Sequence, residues 1–103
     1  MIKIAVNRLN NKIVELDIKG HANSGPYGSD LVCAAVSAVA IGGLNNLLNP
    51  QAYEIKISEG HIHVVLIDKS NEHDEIVIET IVKSLETIEI DNKKYVLIQN
   101  LEK

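Results

Sequence analysis

Residues Lys12 to Ala40 read KIVELDIKGHANSGPYGSDLVCAAVSAVA, and the apolar period changes partway along them. Up to Gly20 the chain alternates: Val14, Leu16 and Ile18 stand on one parity, Ile13, Glu15 and Asp17 on the other. This period of two belongs to a half-buried strand. From Leu31 onward apolar residues fill almost every position as far as Leu48, a pattern that suits a buried helix or one in a subunit interface. Between the two lies a polar loop with Gly20, Gly25, Gly28 and Pro26, whose backbone is permissive and fit to move as a lid. Ser29 or Asp30 can cap the helix, which would put Cys33 in its first turn.

Outward from this stretch the signals are of the same kinds. Ile2, Ile4 and Val6 alternate with Lys3 and Asn7, and Asn10-Asn11 can form a tight turn because Asn tolerates positive φ, so the first two strands make a hairpin. Ala34, Ala35, Ala38, Ala40, Gly42 and Gly43 permit close backbone approach along the first helix, and Pro50 marks its end. YEIKIS and HIHVVLID alternate on either side of Glu59-Gly60, a second hairpin. Ser70 or Asn71 can cap a second helix with Glu72, Asp74 and Glu75 in its first turn and Val77, Ile81, Leu85 and Ile88 as its apolar stripe. KKYVLIQN closes the chain as a strand. The order ββαββαβ predicts an α+β fold, an antiparallel or mixed sheet with two helices packed against it.

A chain of 103 residues is expected to form a single domain, 1–103, around an aliphatic core, since its aromatics are three tyrosines without Phe or Trp. The net charge of −4 and the dispersed Lys and Arg argue against a nucleic-acid partner. One cysteine cannot close an internal disulfide, and MIKIAVNRL alternates too early for a signal peptide, so the cytoplasm is the expected compartment. No apolar run approaches the ~20 residues that span a bilayer, and no membrane partner is expected.

Chemistry concentrates at the loop. Thiolate is the reactive form of cysteine, and the open N–H groups of a helix N-terminus favour it; Cys33, three residues after Asp30, is placed to benefit. The same N–H groups could hold the oxyanion of an acyl transfer. His21 could exchange protons with the thiol and the leaving amine if the loop folds back over the helix end. The bland readings stand beside these. A lone cysteine is most often a small buried hydrophobe, His21 a surface residue, Asp30 a cap, and Ser37 a donor to its own i−4 carbonyl.

The stretch GHANSGPYGSDLVCAAVSA also resembles the signature of the bacterial ribosomal-processing cysteine protease family Prp. The likeness rests on Gly-His before a glycine-containing loop and Asp before Val-Cys-Ala-Ala-Val-Ser, and the flanking element order extends it over almost the whole chain. The resemblance implies a homodimeric cysteine endopeptidase without a cofactor that removes a short N-terminal extension from a ribosomal large-subunit protein, cutting after a motif rich in aromatic residues. By motif position Cys33 would be the nucleophile and His21 the proton donor and acceptor. Gly20 would be a hinge of a substrate-binding loop that includes Gly25 and Gly28, with Asp30 and Ser37 supporting the site.

Other chemistries find less. The loop glycines lack the G-x-G-x-x-G spacing and no Gly-Lys-Ser/Thr follows, which disfavours a phosphate cradle. His61 and His63 share a strand face and could join a further ligand at a metal, but a solvated pair is the simpler expectation, and His73 reads as a surface residue. A structural zinc has no recognisable third and fourth ligands. The competing class is a non-catalytic module in which the loop clasps a peptide and Cys33 merely packs; a redox sensor would show reversible oxidation of the thiol without cleavage.

Overall fold

The structure, a computed structural model, describes residues 1–21 and 26–102, with 26–30 as backbone only. Its elements run β1 (Ile2–Leu9), β2 (Lys12–Gly20), α1 (Pro26–Leu44), a 3₁₀ turn (Pro50–Ala52), β3 (Tyr53–Ser58), β4 (His61–Leu66), α2 (Glu72–Asp91) and β5 (Val96–Glu102). The five strands form one mixed sheet in the order β3-β4-β2-β1-β5, with β5 parallel to β1 and the other pairs antiparallel. The α+β expectation and the ββαββαβ order hold.

Both hairpins close as expected. Asn10 and Asn11 take φ of 53° and 64°, the pair of positive values a two-residue turn of matching twist needs. Gly60 at φ 73° turns the chain between Ser58 and His61. One detail of the first hairpin departs from strict alternation. The register shifts between Asn7 and Arg8, so Asn7 faces Glu15 while Arg8 faces Ile13, leaving Val14 as the extra residue of a bulge. The bulge reverses parity, and Ile13 therefore turns into the core beside Leu16 and Ile18 instead of sharing a face with Glu15.

The helices fill the inner face of the sheet. Val32, Val36, Ala40 and Leu44 of α1 and Val77, Ile78, Ile81, Val82 and Leu85 of α2 pack on Ile2, Ile4, Val6, Leu16, Ile18, Ile62 and Val64. Two differences mark α1. It begins at Pro26, not after Asp30: proline suits the first helical position because its missing N–H would be unpaired there anyway. It stops at Leu44, well before Pro50, because the chain beyond it is taken up elsewhere. The fully buried Asp74 carboxylate (0% exposed) accepts the N–H groups of Leu48 at 2.8 Å and Asn49 at 2.9 Å. Asn71 is the cap of α2, its Oδ1 accepting the Asp74 N–H at 2.8 Å. Burial alone would raise the Asp74 carboxyl, but the Leu48 N–H, His73, the Asn49 N–H and Asn71 together hold it down at about 2. Glycine matters where the helices cross, since a Cβ on Gly43 would meet Ile81 Cγ1 at 2.3 Å.

Candidate active site

Three strand ends converge beside the middle of α1. Gly20 ends β2 at φ 101°, a value that favours glycine, and a Cβ there would fall 2.4 Å from the Met1 carbonyl oxygen. Its N–H donates to the Gly60 carbonyl at 2.9 Å, which ties the end of β2 to the tip of the β3–β4 hairpin. His21 follows. Its carbonyl accepts from the Met1 ammonium at 2.6 Å, and its ring lies over Gly60, where an added Cβ would come within 2.6 Å of Nε2. Bare glycine backbone thus gives the imidazole its seat.

A cavity of about 280 Å³ opens at this junction. Gly20, His21, Cys33 and Ser37 all line it, so a strand end and α1 bring together four residues singled out from the sequence. Its remaining wall is largely aliphatic, with Ile2, Ile18, Val36, Ile41, Ile57 and Ile62, and the hairpin tip from Ser58 to His61 closes one side. Cys33 is half-buried and also packs against the hydrophobic core. Such a cleft, apolar with a few converging polar groups, has room for a large apolar side chain beside the Cys33 thiol.

The helix start changes one part of the expected chemistry. With α1 beginning at Pro26, Cys33 sits in the second turn, beyond the first-turn N–H groups that carry the dipole's positive end. Helix-terminal activation of the thiol and an oxyanion site built from its neighbouring N–H groups are therefore both corrected: N–H groups this far into a helix are committed to carbonyls one turn earlier. Gly28 likewise falls inside α1 and not in the preceding loop. Gly25 and the side chain of Asp30 lie outside the described residues.

His61 and His63 are not merely solvated. On the outer face of the sheet, His61 Nε2 lies 2.6 Å from Asp17 Oδ1 and His63 Nε2 lies 2.7 Å from Glu15 Oε2, with the two rings stacked at 5.8 Å. Burial pushes the Asp17 carboxyl up, but hydrogen bonds from His61 and Lys19 outweigh it and hold it below its ordinary value. These partners pair across strands β2 and β4 and are invisible to sequence spacing. Among the described residues no group of three or more His, Cys, Asp and Glu side chains is placed to hold a metal ion. His73 is at the surface as expected, its Nδ1 2.9 Å from Asp74 Oδ1. No described helix is long and apolar enough to cross a membrane.

The family model described as cysteine protease Prp matches residues 1–97. The chain belongs to the Prp family of cysteine proteases. It is 35% identical over 92 residues to the ribosomal processing cysteine protease Prp of Staphylococcus aureus, covering 85% of this chain and 86% of that protein. To the Bacillus subtilis protein of the same name it is 34% identical over 102 residues, covering 90% and 91% respectively. The crystal structure of the S. aureus Prp protease in complex with a covalently linked product peptide superposes with a TM-score of 0.85 at 28% identity, over 97% of this chain and 99% of that one. The Prp fold is thus shared across nearly the full described chain. The aliphatic wall, Gly60 and His61 were missed from the sequence as parts of the site. The glycine of the Glu59-Gly60 turn was legible as a turn former but gave no sign that it would meet His21.

Proposed function

We propose that this chain is the endopeptidase that removes a short N-terminal extension from a ribosomal large-subunit protein, with Cys33 as nucleophile and His21 as proton donor and acceptor. The observation that carries the reading is that His21 and Cys33, twelve positions apart in sequence, line one cavity. The Cys33 sulfur would attack the scissile carbonyl as its proton passes to His21. His21 would return that proton to the departing amine, and water would then release the acyl group from the sulfur. Ser37, on the same wall, would support the thiol, and Asp30 the histidine. Gly20 would be the hinge of the substrate-binding loop that includes Gly25.

The product peptide bound to the S. aureus relative supports a peptide as ligand. The aliphatic cavity wall supports substrates with a bulky apolar residue next to the cut. The proposal includes a single domain over 1–103, a homodimer and a cytoplasmic location, in keeping with the family resemblance. Support for the domain comes from one sheet that takes in both chain ends.

The test is mass spectrometry of the host's ribosomal protein, extension intact, incubated with wild type and in parallel with Cys33→Ala. A single cut made by the wild type alone is the expected result. Binding of the extension by a folded wild type without any cut would replace the protease with a peptide-binding module. The half-buried packing of Cys33 against the core is the observation that favours that second reading.

A further inference from the structure

Resting on that protease reading, we infer that the substrate backbone docks as an added strand along the free edge of β3, through the peptide groups of Ile55 and Ile57. The direction of those groups follows from the ladder. Gly60 turns its carbonyl toward β2, where it meets the Gly20 N–H at 2.9 Å. Successive residues of a strand point their N–H and C=O groups to opposite sides, so His61 and His63 turn theirs toward β3, and Ile62 turns its own toward β2. Ser58 and Lys56, opposite His61 and His63, are therefore the hydrogen-bonded partners. Ile57 and Ile55, opposite Ile62 and Val64, point their N–H and C=O groups away from the sheet. Tyr53 confirms the alternation, since its N–H also leaves the ladder and reaches the Pro50 carbonyl.

β3 is the edge of the sheet next to the cavity, and Ile57 and Ser58 line that cavity together with Cys33 and His21. The side chain of Ile57, on the inward parity of β3, is nonetheless 51% exposed, because that end of the strand borders the cavity. The opposite edge differs: on β5 the Ile98 N–H is already taken by Glu89 Oε2 at 2.7 Å. Among the described residues nothing takes up the peptide groups that Ile55 and Ile57 present. An edge with alternate unpaired amides leading into a cleft is the template for strand addition, in which main-chain bonds give affinity and the cleft selects side chains.

The experiment uses Cys33→Ala, which binds without turnover, and a synthetic peptide spanning the extension junction, read by fluorescence anisotropy. The peptide is also made with single backbone N-methyl groups at successive positions. Affinity should fall about fivefold or more at alternate amides and hold at those between, the loss expected for one hydrogen bond. Ile57→Pro, which removes an outward N–H without breaking a ladder bond, should raise the KM of the otherwise wild-type enzyme by a similar factor, whereas Ile57→Val, which trims the same cavity side chain but keeps the N–H, should raise it less. Equal effects of methylation at neighbouring positions overturn edge docking, as does a β3-paired dimer that Ile57→Pro dissociates with peptide affinity unchanged. If the wild type cuts the parent peptide and no alternation is seen, edge docking alone fails. If the parent peptide is neither bound nor cut, the protease reading fails with it.

Discussion

The His21 ring rests on Gly60: a Cβ built on that glycine would fall 2.6 Å from Nε2 and 3.0 Å from Cε1. The tip of one hairpin therefore sets where the imidazole at the end of another strand can lie. Gly60 is also at φ 73°, where an L residue is strained by about 1–2 kcal/mol. Gly60→Ala is expected to lower kcat/KM at least tenfold while the protein stays folded. Peptide cleavage assays beside a thermal melt will separate the two effects, and full activity in the variant would show that His21 needs no seat there.

Asp74 joins the α1–β3 connection to the start of α2, accepting the Leu48 and Asn49 N–H groups while fully buried. Asp74→Ala leaves both donors without their partner and should destabilise the fold by about 3 kcal/mol, measured by urea unfolding. Asp74→Asn keeps one acceptor oxygen and should lose less.

The same carboxyl gives acid unfolding a defined sign. Its folded value of about 2 lies below the ordinary value of 3.8, so its contribution is complete above about pH 4 and is lost as pH falls toward 2. A urea series from pH 5 to pH 2 should show stability falling in that window for wild type, and a shallower fall for Asp74→Asn. Parallel curves would assign the acid sensitivity to other carboxylates.

Gly43 lets α1 and α2 approach, and a Cβ there would overlap Ile81 at 2.3 Å from Cγ1 and 2.6 Å from Cδ1. Gly43→Val should cost about 1–3 kcal/mol through overpacking, even though any β-carbon improves on glycine's helix propensity. Ile81→Ala in the same chain should recover part of that loss, a coupling that a double-mutant cycle of urea midpoints measures.

Gly20 is held at φ 101° with its α-carbon facing the Met1 carbonyl at a distance no Cβ tolerates. Gly20→Ala should therefore loosen the β1–β2 end and shift His21. Loss of activity at temperatures well below the melting point, followed by circular dichroism and cleavage together, is the expected outcome.

Local pattern carried most of the fold. Alternation in β1 and β4, the Asn10-Asn11 and Glu59-Gly60 turns, and the i, i+4 stripe of α2 are short-range features that backbone sterics and burial impose wherever they occur. The limits were local too. Pro26 serves a helix's first position as readily as a loop, and a single bulge residue, Val14, reverses the parity that places Ile13.

The sequence by itself determined the element order, the aliphatic composition of the core and the likeness to Prp proteases carried by the stretch around His21 and Cys33. Tertiary structure alone decided what lies across from what. The antiparallel pairing of β2 with β4 set Asp17 against His61, the close of the second hairpin set Gly60 under His21, and the end of the sheet met α1 to bring His21, Cys33 and Ser37 onto one cavity. Spacing along a chain reports which residues share a face of one element. Contacts between elements depend on register and packing, which exist only once the whole sheet has closed on its helices.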